Sequence, residues 1–303
     1  MQKIFYSQQR VYQSLMIDRL INWLYDHRGR LFLLLCSPLL LYAFLWLSDK
    51  YDELLEVSPE HPAYPIPPKH LDDTLRVAVI GDSWAEIHAS LECDTIFCRV
   101  AKSLTTSPVK CFSRGHSGKM TKEIYNDMFA DRTVEHAWEK DFCTQPLLEQ
   151  HPDYCVIMAG INDLRLFRST DYYTGNYRLI IRLLLRNGIR PVVMEMPDVD
   201  FLGSFERRVY YERWMFRLLS VWTGVDCGSA QKYRDAMHDM LNDTNLKDSV
   251  LFIPVDHWSA KGLESNLSIY VDDKFHLNLH GYQILDSCMA TDIINDYKRR
   301  IIE

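Results

Sequence analysis

The chain has 303 residues, 47% of them hydrophobic and 25% charged, with a formal net charge of -7 at pH 7. That apolar content is enough to bury a sizeable core in one large domain or two small ones, and it excludes an intrinsically disordered chain. The acidic balance argues against nucleic acid as a partner, because phosphate binding draws on a basic face.

In chain order, the first predicted segment is residues 1–30, where Tyr12, Leu15, Met16, Ile21 and Leu24 fall at roughly helical spacing. It reads either as an amphipathic segment on the cytoplasmic leaflet or as a plain tail, since Asp18 and Asp26 break the apolar face. From Leu31 to Leu47 the run "LFLLLCSPLLLYAFLWL" carries no charge. As a helix it spans roughly 25 Å, the short end of what a bilayer core needs, so residues 31–48 are expected to form a single transmembrane anchor. Arg19, Arg28 and Arg30 precede the run and several acids follow it in "SDKYDELLE". That asymmetry places the N-terminus in the cytoplasm and the rest on the outer, periplasmic or extracytoplasmic, side. A cleaved signal peptide is the competing reading, against which stand a long charged lead and no small-residue cleavage site after Leu47. Residues 49–74 hold Pro59, Pro62, Pro65, Pro67 and Pro68, which favour an extended spacer between membrane and domain.

Residues 75–303 alternate between two kinds of segment. The short apolar runs "LRVAVIG", "VKCFSRG", "YCVIMAG", "PVVMEM" and "VLFIPV" read as buried parallel strands, with helical patterns such as "YRLIIRLLLRNG" between them. The alternation predicts a three-layer α/β/α domain with about five parallel strands, whose ligands bind beyond the carboxyl ends of the strands. Three predicted strand ends carry polar punctuation: Gly81-Asp82-Ser83, Gly115-His116-Ser117-Gly118 and Gly160-Ile161-Asn162-Asp163.

Ser83 at such an end is a candidate nucleophile, beside helix N–H groups that favour a developing anion; alone, it reads more simply as a helix cap. A nucleophilic serine needs a base, and the base needs an orienting group. Among eleven histidines two follow an aspartate by three residues, Asp235 with His238 and Asp273 with His276. The first pair lies in a charged helical stretch and reads as surface neighbours. The second lies in a loop that opens the terminal helix, where His276 can take the proton of Ser83 while Asp273 holds its tautomer. Spacing alone leaves Asp272 and His280 open as substitutes. The N–H of Ser83, the N–H of Gly118 and the side-chain amide of Asn162, from three strand ends, are candidate donors to an oxyanion.

Taken as a set, these residues resemble the SGNH (GDSL-like) hydrolase superfamily. "IGDSW" is similar to its first block at Ser83, "RGHSGKMT" to the second, "MAGINDL" to the third and "DDKFHLNLHGY" to the last at Asp273 and His276. In the second block the superfamily's oxyanion glycine usually follows serine or alanine, which favours Gly118 over Gly115. Leu277 stands where proline is common. The resemblance covers about residues 75–303 and implies a flavodoxin-like sheet and ester chemistry, with no metal or other cofactor.

No GXSXG elbow, HEXXH pair, P-loop or zinc-spaced cysteine pair is present. Eight cysteines sit awkwardly with a domain outside the cytoplasm: with Cys36 in the span seven remain, so at least one is unpaired, and Cys155 in an apolar strand reads as a buried thiol. Trp84, Trp258, Arg207, Arg208 and Arg213 are candidate substrate contacts, with rings for sugars and guanidiniums for acidic groups; the alternative is that they serve packing. The expected function is a membrane-anchored serine esterase removing acyl groups, acetyl in the first instance, from an envelope polysaccharide or else a lipid ester. An O-acyltransferase using the same residues, fed by a membrane partner that supplies the acyl donor, and a non-catalytic binding protein on the same fold are the alternatives.

Overall fold

The computed structural model describes residues 56–60, 72–128, 144–200, 203, 209–225, 230–243, 245–259 and 268–302. The predicted segment 1–30, the predicted anchor 31–48 and most of the predicted linker 49–74 lie outside them. Among the described residues no helix is long and apolar enough to cross a membrane.

Five strands, β1 (Leu75–Gly81), β2 (Val109–Gly115), β3 (Tyr154–Met158), β4 (Arg190–Met194) and β5 (Leu251–Ile253), form one parallel sheet in the order β2-β1-β3-β4-β5. All five predicted runs are strands, and the order is that of a flavodoxin-like sheet. Every residue of β1 is buried, as a central strand covered on both faces requires. β1 even buries Arg76, whose charge is met by Asp72 at 2.7 Å.

The helices of interest are α1 (Ser83–Ser90), α2 (Cys93–Leu104), α3 (Thr121–Asp127), α4 (Gln145–Leu148), α5 (Ile161–Arg165), α6 (Thr170–Arg186), α7 (Tyr210–Thr223), α8 (Gln231–Asp243) and α9 (Leu279–Ile302). α9 packs against α2, and α6 packs against α3 and α8. α6 begins at Ser169, whose side chain accepts the N–H of Tyr172, and buries a stripe including Tyr173, Tyr177, Ile180 and Leu184.

The described part of the predicted spacer makes contacts with the domain. The N–H of Ser58 donates to Asn176 Oδ1 (3.0 Å), its hydroxyl to Asn126 Oδ1 (3.1 Å), and Glu60 pairs with Arg186. Gly175 makes room: a Cβ there would lie 2.7 Å from Val57 Cγ2. The reason is polar satisfaction, since buried Asn176 offers an oxygen that only the passing chain fills.

Five described cysteines, Cys93, Cys98, Cys111, Cys155 and Cys288, are free thiols. Cys155 is fully buried in β3, and burial alone raises its pKa.

Candidate active site

The ends of β1, β2 and β3 lead into three short segments laced together by hydrogen bonds. At the first, Asp82 is the N-cap of α1: its Oδ1 accepts the N–H of Trp84 at 3.0 Å. The capping role therefore falls on the aspartate, and the Ser83 hydroxyl, at the first helical residue, is left for another partner. That partner is His276, whose Nε2 lies 2.9 Å from Ser83 Oγ.

His276 is held in turn by Asp273. The ring Nδ1 is 2.6 Å from Asp273 Oδ2, while Asp273 Oδ1 accepts the N–H groups of Phe275 (2.7 Å) and His276 (2.9 Å). Partial burial works to raise the pKa of Asp273, but the bonds from His276 and the Phe275 N–H outweigh it, and the net shift is downward. Asp273 is thus an ionised acceptor, and with Nδ1–H donated to it, Nε2 presents a lone pair to the serine. The hairpin carrying both residues is closed by a bridge between Tyr270 and Leu277.

At the end of β2, two glycines have different reasons. A Cβ on Gly115 would stand 2.4 Å from Asp82 O and 2.3 Å from Glu86 N, so glycine lets this strand end meet α1. Gly118 has φ +82 and open space where a Cβ would point, so its glycine answers to backbone conformation. The Ser117 N–H and hydroxyl both donate to Glu86 of α1, tying the loop that holds Gly118 to the helix that holds Ser83. At the third end, buried Asn162 donates its amide to Lys119 O (3.0 Å) and, at longer range, to Asp82 Oδ2 (3.4 Å). Its neighbour Asp163 accepts the N–H (3.0 Å) and hydroxyl (2.6 Å) of Thr121. Burial pushes the carboxyl groups of both Asp82 and Asp163 up to about 7. Ser83, Asp273, His276 and Asn162 are thereby gathered at one end of the sheet, with Gly118 next in sequence to the Lys119 carbonyl that Asn162 holds.

The chain also matches a known family. The profile of the GDSL-like lipase/acylhydrolase family matches residues 79–284, a span that runs from β1 into α9. The chain belongs to that family. This GDSL-like protein is a carboxylic ester hydrolase by family. Among solved structures, the lipase/acylhydrolase of Enterococcus faecalis superposes with a TM-score of 0.51 at 15% identity, over 73% of this chain and 96% of that one. A GDSL-like lipase of Bacteroides thetaiotaomicron matches at 16% identity and 0.45, over 73% and 88%. An acetylxylan esterase of Geobacillus stearothermophilus matches at 16% and 0.44, over 74% and 95%. At such identities the likeness is one of fold. No curated protein matches the chain.

Trp84 and Trp258 are 4% and 5% exposed, meet edge to face at 6.0 Å, and line a small cavity of about 20 Å³ with Asp82, Met158 and Met196. They occupy the core behind the strand ends, the packing alternative, rather than an open cleft. Arg213 is exposed on α7; Arg207 and Arg208 lie outside the described residues. His238 faces Glu195 at 3.0 Å and Asp235 accepts from Gln231, so the competing Asp-x-x-His pair is not a pair at all. Asp272 is exposed, and His280 sits in a groove on α9 beside His257 and Asp292.

Sequence reasoning missed a second relay. His88, on α1 and fully buried, has Nε2 2.7 Å from Asp286 Oδ1 on α9 and Nδ1 2.6 Å from Ser113 Oγ on β2; Ser113 donates in turn to Asp94 on α2. Burial works against the charged ring, but the bonds to Asp286 and Asp94 prevail and push its pKa up to about 9. Its partners are 25 and 198 residues away, so no local spacing announces them. Among the described residues, two groups bring His, Cys and Asp donor atoms within 4.8 Å of one another, His88 with Cys93 and Asp286, and His257 with Cys288 and Asp292. Neither includes Ser83, His276 or Asp273.

Proposed function

We propose that this GDSL-like hydrolase is a membrane-anchored serine esterase that removes acyl groups, acetyl foremost, from an envelope polysaccharide. Ser83 is the nucleophile, His276 the general base and acid, and Asp273 the orienting group; the N–H groups of Ser83 and Gly118 and the amide of Asn162 receive the oxyanion. The unbroken chain from Ser83 Oγ through His276 to Asp273 carries the reading.

In the first step Ser83 Oγ adds to the ester carbonyl as its proton passes to His276 Nε2. The carbonyl oxygen takes the negative charge and draws the Asn162 amide from its long contact with Asp82. Collapse expels the sugar oxygen, which takes the proton from Nε2 to become a hydroxyl and leaves an acyl-enzyme on Ser83. Water then gives its proton to Nε2 as it attacks the acyl carbon, and collapse breaks the bond to Ser83 Oγ, which takes that proton back from Nε2 as acetate leaves. Residues 31–48 hold the domain on the outer side of the membrane, with residues 1–30 in the cytoplasm; the uncharged run and the flanking charges support that placement.

The test compares full-length protein with Ser83→Ala on native and on de-O-acylated envelope glycan, with a simple acetyl ester as donor, following acetate and glycan acetylation by mass spectrometry. Serine-dependent acetate release from native glycan is expected. Serine-dependent gain of acetyl groups on the stripped glycan would make the protein an acyltransferase instead, and release by both proteins alike would remove Ser83 from the mechanism.

A further inference from the structure

α7 is apolar on two opposite sides. Its inner side, Phe216 and Leu219, packs on the core, with Phe216 stacked on Phe167 at 5.6 Å. Its outer side shows Tyr210, Trp214, Leu218 and Val221 to solvent, 76%, 58%, 47% and 83% exposed. At 100° per residue these four fall within an arc of about 80°, so they form one continuous stripe rather than scattered exposure. Arg217 and Arg213 border the stripe on one edge, both exposed and neither in an ion pair among the described residues. A surface of this kind marks an interaction site in a soluble domain.

We infer that the outer side of α7 lies on an anionic lipid surface. Three features choose that occupant. The stripe sits on a convex helix, which suits a plane of lipid better than a cleft suits a peptide. Its composition is that of interfacial helices: an aromatic pair whose polar ends reach the headgroup level, aliphatic side chains between, and arginines on the flank to meet phosphate. The chain also carries its own uncharged seventeen-residue run from Leu31 to Leu47, so a bilayer is the partner it meets wherever that run is inserted. The choice of occupant rests on the tether proposed above; the stripe itself does not.

The position matters for the site. Phe167, on which α7 rests, is five residues beyond Asn162 and follows α5 directly. Arg165 of α5 lies over the ring of Phe275, next to His276. A bilayer against α7 therefore sets Ser83 at a fixed height and aspect to the membrane surface, and acyl esters held close to that surface are the ones it reaches.

The experiment uses the full chain reconstituted in vesicles of phosphatidylcholine with a minority of phosphatidylglycerol. An environment-sensitive fluorescent amino acid is placed by amber suppression at position 218, or at 102 on the exposed side of α2 as a control, and lipids with headgroup-proximal nitroxides serve as quenchers. The probe at 218 is expected to shift blue and lose most of its emission to the quencher, and the probe at 102 to do neither. The double variant Arg213→Glu/Arg217→Glu should weaken quenching at 218, more so at low salt, where screening is least. Protein retained on the vesicles with the probe at 218 reporting water would overturn the lipid contact and leave the tether standing. Protein not retained would remove both. A blue shift that ignores the quencher would give the stripe to another protein surface, and a second copy of the chain would then show as a dimer by light scattering.

Discussion

Ser83, His276 and Asp273 at the end of the sheet, and Ser113, His88 and Asp286 beneath it, are the same three side chains strung on similar bonds of 2.6–2.9 Å. They differ in access to water and in what holds the far end. His276 and Asp273 are 28% and 44% exposed, so solvent reaches them; His88 and Asp286 are closed off altogether. Ser113 donates onward to Asp94, so its oxygen is spoken for on both sides, whereas Ser83 is joined to His276 with no second acceptor among the described residues. A hydroxyl, an imidazole and a carboxylate in line can do the proposed chemistry only where solvent reaches the imidazole and its carboxylate. Buried, the same line is a rivet, here joining α1, β2, α2 and α9.

The largest effect that separates the two is on turnover. His276→Ala should lower kcat/KM for a soluble acetyl ester by about 10²- to 10⁴-fold, the usual worth of a general base, with little change in melting temperature because the ring is partly exposed. His238→Ala, by contrast, should leave the rate near wild type, since that ring only faces Glu195. A collapse in the His238 variant with a spared His276 variant, read by initial rates, would exchange their roles.

The buried relay should show the opposite profile. His88→Ala strips the countercharge from Asp286 and Asp94 inside the core, and losing one partner of such a pair costs about 3–5 kcal/mol. Denaturant unfolding should register that loss, while protein kept well below its melting point retains most of its rate, because no atom of His88 faces substrate. An undiminished midpoint in the variant would mean that the relay holds nothing together.

The contrast also explains what could be read from the chain. Asp273 and His276 are three residues apart in one turn, and Ser83 follows an apolar run and a glycine, so both were legible from short stretches. β1 and β3 are legible for the same reason, since each is an unbroken run of buried residues; β2, a half-buried edge strand, shows through its alternation with helical stretches instead. His88 was not, because its meaning lies in residues 25 and 198 positions away and comes only with the fold. Trp84 and Trp258 were ambiguous because an indole serves a core as well as a cleft, and only their packing against each other decides. From the sequence either Asp82 or Ser83 can cap the helix that follows; the structure gives the cap to Asp82, and that frees Ser83 for His276.

The smallest predicted effect is also the finest probe of the rivet, because it depends on one proton. A histidine whose pKa rises from 6.5 unfolded to about 9 folded binds its proton more tightly in the native state. The stability this supplies is whole below about pH 6.5 and drains away as pH climbs through about 9. The buried carboxyls of Asp82 and Asp163, raised from 3.8 to about 7, also make stability fall with rising pH, but they have finished titrating before that upper window. Between them the two processes make separate descents, and the later one belongs to His88 together with the buried thiols, whose raised pKa values add to the fall as pH nears 9. His88→Gln keeps a hydrogen-bonding side chain and cannot take the charge, so its unfolding free energy should decline less steeply than that of wild type from about pH 7.5 to 9, the remaining slope coming from the buried thiols. Parallel curves for the two proteins would assign the decline to another group and leave the ring neutral in the native state.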